Sequence, residues 1–264
     1  KFLLPWLKNH GHEVTFLSLE SYGYVQPGVR HSVIRRKEHA PPPSRFPGHY
    51  LLLGKKLDSA EVFLGAFRQL KNRGYSPDIV IFHSGWGAGL HLRAAFPNAC
   101  LAAYAEWWFR WDAEDYSFEP NSKYSPRVAD NYLIPERLLN LTVSQELSEA
   151  DYIWTPTNWQ KKQFPKNLQD KMMVVHEGID MKFFKPKETF IGVPEASITY
   201  ATRGMEPMRG FEHFIPILKK LLLQNPSRSA VIGGKDESNY RPLPKGHPSM
   251  GVWAKEIFEK ASIA

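Results

Sequence analysis

The sequence predicts an α/β protein whose parallel sheets are covered by helices on both faces. Short apolar runs alternate with segments that carry apolar residues at helical spacing along the 264 residues. The apolar runs are continuous, as in strands that are buried on both faces. With 42% hydrophobic residues, the chain is long enough for one large domain or two modest domains, each with a core.

The first part of the chain follows the order that a parallel sheet requires. A helix that ends at Gly11 precedes a strand over residues 13–19, and residues 21–50, rich in Pro, Gly and His, are predicted to form a long surface connection. The later elements are a helix (51–73), strands (79–82, 101–104), a helix (135–150), a strand (151–157), a short helix (158–165) and a strand within 171–180. Because a helix precedes the first strand, we expect an earlier strand of this sheet to be missing.

A second, smaller set of elements follows a segment rich in Pro, Lys and Gly. We therefore predict an N-terminal Rossmann-like domain (1–182), a linker (183–195) and the beginning of a second Rossmann-like domain (196–264). Its predicted elements are a strand (197–202), a helix (210–224), a strand (230–232) and a helix (251–261). Because such a domain needs several more strands, we expect it to be incomplete.

The net charge of +7 is compatible with nucleic acid, an anionic membrane surface or phosphate-bearing substrates. The basic residues are spread out without an RNA motif or zinc-finger spacing, so we expect no nucleic-acid partner. Solvated faces explain most of these charges, and peripheral membrane contact is the alternative. Cys100 is the single cysteine, which excludes a disulfide framework. We expect a cytoplasmic location, with peripheral contact at the inner face of the membrane as the alternative.

Two arginines flank the junction of a strand and a helix in the sequence "RGMEPMRG". Ligands of such sheets lie outside the carboxyl ends of strands, beside helix N-termini. A charge-assisted hydrogen bond from Arg203 or Arg209 contributes about 1.5–3 kcal/mol, compared with roughly 0.3–1 kcal/mol from a helix end. The arginines should therefore dominate the affinity for a diphosphate, and Gly204 and Gly210 would allow close approach. The alternative is a surface turn whose arginines pair with neighbouring glutamates.

This stretch resembles the "GR…EP.KG" segment of glycosyltransferase family 4, retaining enzymes of the GT-B fold. In that family an arginine and a lysine hold the diphosphate of a nucleotide-sugar donor. Arg203 matches the arginine, and Arg209 replaces the lysine, which keeps the charge and adds a bidentate fork. "VVHEGIDMKFFKP" is similar to the family's run at the domain junction. "HSGWG", "YAEWW" and "TPTNWQKKQFP" resemble motifs of one bacterial subgroup, in the expected order.

The resemblance implies further donor-side residues. Glu177 and Gly178 match the domain junction, and Gly233, Gly234 and Lys235 match the turn where the donor nucleotide passes. It also implies a nucleotide-sugar donor as substrate, a glycan or lipid-linked acceptor in polysaccharide biosynthesis, and no cofactor or metal.

On the acceptor side, His83 and Glu106 each follow an apolar strand, so we expect them at one edge of the sheet, facing the interdomain cleft. We assign both as candidate catalytic residues, with Glu106 orienting an acceptor or donor hydroxyl. The alternatives are a turn histidine bonded to backbone and a glutamate that caps a helix or pairs with Arg110. The acceptor-side candidates around them are Gly85, Trp86, Gly87 and Trp107.

The resemblance implies that the whole protein transfers a sugar from the nucleotide-sugar to a hydroxyl with retention at the anomeric carbon. The family's two glutamates eight positions apart are not in this chain, so we expect the chain alone to be inactive. The alternatives are a nucleotide-sugar epimerase of the same fold and a non-catalytic carbohydrate- or partner-binding module.

Overall fold

The computed structural model describes residues 3–19, 27–34, 48–110, 112, 133–186, 198–238 and 243–263, without the side chains of 48–51 and 133–137. The chain divides into two compact units. One holds the described residues of Lys1–Arg110 and Asp130–Glu177, and the other holds those of Trp111–Ala129 and Gly178–Ala264.

The first unit is an α/β arrangement, as predicted. Its described strands are β1 (Thr15–Ser18), β2 (Arg30–Val33), β3 (Ile79–His83), β4 (Cys100–Tyr104), β5 (Tyr152–Thr155) and β6 (Met172–Val174). Its described helices are α1 (Leu3–Asn9), α2 (Gly48–Asn72), α3 (Leu92–Ala95), α4 (Leu133–Glu149), α5 (Asn158–Gln163) and α6 (Lys166–Gln169).

All strand pairs of this unit are parallel among the described residues. β3, β4, β5 and β6 form one sheet in that order, and β1 pairs with β2 in a separate sheet. In the larger sheet, His83 is opposite Tyr104, and Tyr104 is opposite Trp154. The carboxyl ends of β3, β4 and β5 therefore lie at one edge.

The core of the first unit lies on one face of the larger sheet. Phe63 and Phe67, one turn apart on α2, pack in a single buried cluster with Val143 and Leu147 of α4 and with Phe82 of β3. Aromatic side chains of this size dominate the energy of such a core.

On the opposite face of β3, Ile79 and Ile81 are 60% and 46% exposed among the described residues. Among the described residues, the predicted helical cover is therefore seen at β3 on the face of Phe82, against which α2 and α4 pack.

The second unit contains one βαβ crossover followed by a helix. Its described elements are β7 (Ile198–Gly204), a 3₁₀ turn (Pro207–Arg209), α7 (Phe211–Gln224), β8 (Ala230–Lys235) and α8 (Met250–Glu259). β7 and β8 pair in parallel. Phe211 and Ile215 of α7 pack against Met250, Trp253 and Ala254 of α8 in a separate core.

Several boundaries differ from the prediction. Residues 21–50 were predicted to be a connection throughout, but β2 lies within them and pairs with β1. Its sequence, RHSV, is polar and partly exposed, so it lacks the apolar run that marks the other strands. The short helices α3 and α6 were also missed. Thr157 caps α5, because its Oγ1 accepts the N–H of Gln160 at 3.1 Å. Most of the predicted linker lies outside the described residues.

The glycine-rich turn after β3 packs its backbone directly on neighbouring elements. Gly87 has φ +84°, and a Cβ there would overlap the carbonyl oxygen of Lys56 on α2. A Cβ at Gly89 would overlap the ring of Phe82. Glycine at these positions lets the turn approach α2 and the sheet closely.

We predict that Gly87→Ala destabilises the protein by about 2–4 kcal/mol, because it combines an overlap with a positive φ. Gly65→Ala is the matched control: Gly65 lies inside α2 with no atom within 4 Å of its added Cβ, so the change should stabilise by about 0.5–1 kcal/mol. Urea unfolding of both variants measures this. Equal midpoints would contradict the close packing of the turn.

Candidate functional site

At the carboxyl edge of the sheet formed by β3, β4, β5 and β6, His83 lies beside Glu106. His83 is the last residue of β3, and Glu106 lies two residues beyond β4. The Nε2 atom of His83 is 3.0 Å from Oε2 of Glu106. The prediction that both residues lie at one edge of the sheet is confirmed. Glu106 does not cap a helix, since residues 105–110 are not helical.

Both nitrogens of the His83 ring face acceptors. Nδ1 donates to the carbonyl oxygen of Ser84 at 2.8 Å, and Nε2 faces the Glu106 carboxylate. The predicted alternative of a backbone-bonded histidine is therefore also met, and the two bonds coexist. Only the doubly protonated imidazolium donates from both nitrogens.

The environment favours that charged form. Burial lowers the pKa of His83, but the hydrogen bonds to Glu106 and Ser84 and the charges of Glu106 and Glu146 outweigh it and raise the pKa above its usual 6.5.

Aromatic rings surround the His83–Glu106 pair. The centroid of the His83 ring lies 5.0 Å from that of Tyr104 and 6.2 Å from that of Trp86, and both pairs are edge-on. Trp86 is 65% exposed, and Trp107 packs against Trp159 at 5.5 Å. Flat apolar faces beside carboxylates suit the binding of sugar rings.

Tyr104 connects this edge to Glu177. Its hydroxyl donates to Oε1 of Glu177 at 2.5 Å. Burial, followed by the bond to Glu177, raises the pKa of Tyr104 well above its usual value. The phenol therefore stays protonated, and Glu177, predicted as a donor-side residue, lies at the same edge as His83.

The glycines predicted on the acceptor side have packing roles. Gly85 has φ +87°, and its Cβ would lie 3.1 Å from Cγ2 of Val143. Gly87 lies against Lys56, as described above. The close approach at both positions is to the protein itself, and contact with an acceptor stays a prediction.

Sequence reasoning missed Glu146, a buried carboxylate on α4. It is 1% exposed and accepts N–H groups from Gly85 and, at 2.9 Å, from Gly89. Burial raises the pKa of Glu146, while these two bonds and the charges of Lys56 and His83 act in the opposite direction. Its position beside Leu147 and three residues after Val143 places it on the apolar face of α4, which is the signal in the sequence.

Lys56 on α2 is a second missed residue. Burial lowers the pKa of Lys56, and the charge of Glu146 partly opposes this. Its Nζ donates to the carbonyl of Leu139 at 3.4 Å and lies 5.4 Å from the centre of the Phe109 ring. A half-buried cation and a buried carboxylate thus interact electrostatically beneath the glycine-rich turn.

Asn140 fixes the segment that carries Glu106 and Trp107. Its side-chain amide accepts the N–H of Phe109 at 3.0 Å and donates to the carbonyl of Phe109 at 2.6 Å. These two hydrogen bonds tie residues 105–110 to α4, although that segment has no regular structure.

In the second unit, the predicted strand ends at residue 202, which would place Arg203 in the following turn. The structure instead places Arg203 inside β7. The strand continues to Gly204, because Gly204 pairs with Lys235 of β8. Arg209 ends the 3₁₀ turn, and Gly210, at φ +73°, precedes α7. Both arginines are exposed and flank the carboxyl end of β7.

The turn holds Arg209 through two contacts. The hydroxyl of Tyr200 donates to the carbonyl of Arg209 at 2.7 Å. Nε of Arg209 lies 3.4 Å from Oε1 of Glu206, whose side chain is fully buried. The predicted alternative of a pairing with Glu206 is therefore observed for Arg209, through one of the five N–H groups of the guanidinium. Glu212 lies 3.6 Å from His213.

The remaining predicted donor-side residues lie at two places. Gly233, Gly234 and Lys235 end β8, and a Cβ at Gly234 would overlap the carbonyl oxygen of Thr202 on β7. Gly178, at φ +75°, begins the second unit. A role of these residues in donor binding stays a prediction.

The described residues contain no group of three or more His, Cys, Asp or Glu side chains that could hold a metal ion. None of the described helices is long and apolar enough to span a membrane.

Comparison with known proteins identifies the family. Residues 10–184 match the family described as "Glycosyl transferase family 4 group". This match covers more than half of the chain, and the chain belongs to that family. It includes the His83–Glu106 pair and the glycine-rich turn.

A solved structure has a similar fold. The crystal structure of a glycosyltransferase from Rickettsia africae ESF-5 superposes with a TM-score of 0.53 at 13% sequence identity. The alignment covers 98% of this chain and 59% of that one, so the chain spans about three fifths of the length of its structural relative. Among curated proteins no sequence matches.

We predict that Glu106→Gln lowers the pKa of His83, because it removes the charge that Nε2 faces. The folded pKa of His83 lies above its unfolded value, so the pair stabilises the fold fully below about pH 6.5. That contribution disappears as the pH rises through the folded pKa.

NMR titration of the imidazole measures the pKa of His83 directly, and Glu61→Gln, an exposed change on α2, is the control. A His83 pKa that is the same in Glu106→Gln and in the control would contradict the pairing.

Proposed function

We propose that the protein containing this chain is a retaining glycosyltransferase that moves a sugar from a nucleotide-sugar to an acceptor hydroxyl on a glycan or lipid-linked molecule. The observation that carries the proposal is the placement of Arg203 and Arg209 at the carboxyl end of β7, directly before α7. Membership in the family 4 group supports it.

The donor diphosphate binds at this strand end in the proposal. Two guanidinium groups supply charge-assisted hydrogen bonds, and the first turn of α7 adds backbone N–H groups and a partial positive charge. Tyr200, whose ring stacks on Phe214 at 4.6 Å, fixes the backbone of Arg209. A turn that is already ordered loses less entropy when the ligand binds.

The acceptor lies against the first unit in this proposal. Its sugar ring packs on the exposed face of Trp86, and a hydroxyl next to the reacting one donates to Glu106, which His83 holds in place, so the reacting hydroxyl keeps its proton for the diphosphate. The bond between the anomeric carbon and the diphosphate oxygen breaks while the acceptor oxygen bonds to that carbon on the same face. The leaving diphosphate takes the proton of the hydroxyl, and the arginines stabilise its growing charge.

We predict that Arg203→Ala and Arg209→Ala, each in the protein translated from the complete reading frame, lower kcat/KM for the donor by more than tenfold. Tenfold corresponds to about 1.4 kcal/mol of lost transition-state stabilisation. Arg228→Ala is the matched control, since Arg228 is exposed in the same unit but precedes β8 at its amino end. Steady-state rates over a series of UDP-, GDP- and ADP-sugars supply the values. A loss below tenfold in both variants removes the assigned role.

Product analysis separates this proposal from its alternatives. With acceptor present, we expect a glycosylated acceptor that retains the anomeric configuration, and without acceptor we expect the donor to stay intact. An epimer or free sugar as the main product without acceptor would instead indicate an epimerase. Absence of turnover with every donor and acceptor tested would indicate a binding module.

A further inference from the structure

We propose that Glu146 is a positioning residue that orients the catalytic candidate His83 through the peptide group between Ser84 and Gly85. The catalytic consequence rests on the proposed function, but the coupling itself does not. His83, Ser84 and Gly85 are consecutive, so a single planar unit joins the buried carboxylate to the histidine ring.

The geometry of this one peptide group carries the inference. Its N–H, on Gly85, donates to Oε2 of Glu146. Its C=O, on Ser84, accepts from Nδ1 of His83 at 2.8 Å. The described residues contain no cis peptide, and a trans peptide is rigid and planar. The carboxylate that fixes the direction of the N–H therefore also fixes the direction of the C=O.

The carboxylate is itself held firmly. Its other oxygen accepts the N–H of Gly89 at 2.9 Å, so Glu146 ties the turn at both ends of the segment that bears Trp86. Its side chain is buried, where a carboxylate without partners would be strongly destabilising. The two N–H bonds and the charge of Lys56 offset part of that penalty.

The titratable groups that interact with Glu146 in the described structure come from two elements. Lys56 reaches it from α2 and His83 from the end of β3. Both are cationic when protonated. Loss of the Glu146 charge therefore acts on the pKa of His83 by two routes. It removes a nearby negative charge, and it releases the Ser84 carbonyl that accepts from Nδ1.

Glu146→Gln tests the coupling, because it keeps the size of the side chain but removes the charge and one of the two acceptors. The matched control is Glu149→Gln on the same helix. NMR of the 264-residue chain follows two quantities: the titration of the His83 ring and the hydrogen exchange of individual amides.

We expect the pKa of His83 to fall in Glu146→Gln and to stay at the wild-type value in Glu149→Gln. We also expect the amides of Gly85 and Gly89 to exchange at least tenfold faster than in the wild-type chain. The amide of Ala105, which donates to the carbonyl oxygen of Trp154 on β5, should exchange at the wild-type rate. Faster exchange at the glycines together with an unchanged His83 titration would reduce Glu146 to a structural role and overturn the proposal.

A second variant guards against misfolding. Lys56→Met combined with Glu146→Gln removes both charges together, so the half-buried ammonium group of Lys56 is not left without the Glu146 charge, and the His83 titration should still shift. If neither variant folds, Glu146 is a determinant of folding and the specific positioning role is rejected.

Kinetics of the full-length protein link the coupling to function. Glu146→Gln should lower kcat/KM for the acceptor at least tenfold and leave KM for the donor unchanged. If the wild-type protein transfers no sugar, the proposed function fails, whereas the NMR result still decides the coupling.

Discussion

The arrangement depends on the parallel register of β3, β4 and β5. Because His83 is opposite Tyr104 and Tyr104 is opposite Trp154, the three strands end within one residue of each other, and the segments that follow them carry polar groups at one edge. A slip of one residue in the pairing of β3 would turn every side chain of that strand to the other face of the sheet. His83 would then point into the core, and Phe82 would point out of it.

In the second unit, the position of Arg203 also depends on the parallel register of two strands, but the pairing is irregular at the strand end. The pairing of β7 with β8 shifts between Ala201 and Gly204, and such irregularities re-aim side chains at the ends of strands. Arg203 lies within this shift. Gly234 allows β8 to pass close to the carbonyl of Thr202, so the glycines around the arginines serve the backbone of the sheet first.

The sequence was most informative where apolar runs end. The strands that bear His83 and Tyr104 were predicted nearly to the residue, and the placement of His83 and Glu106 at one edge followed from the topology. The hydrogen bond between them is a finding of the structure. β2 was missed because its side chains are polar and partly exposed. The extension of β7 through Arg203 could not be read locally, since it depends on the pairing of Gly204 with Lys235, 31 residues later.

Glu146 and Lys56 were missed for a different reason. A charged residue on a helix is usually solvated, but the glycine-rich turn packs against α2 and α4, where Glu146 is buried and Lys56 is half-buried. The spacing of Glu146 from Val143 and Leu147 was visible in the sequence. Its partners are backbone N–H groups 57 and 61 residues away, and no local pattern reports them.

A crystal structure of the full-length protein with a bound nucleotide-sugar tests the central claim most directly. The account predicts diphosphate oxygens about 2.7–2.9 Å from guanidinium nitrogens of both Arg203 and Arg209, at the carboxyl end of β7. A diphosphate bound elsewhere, with Arg209 still paired only with Glu206, would contradict it.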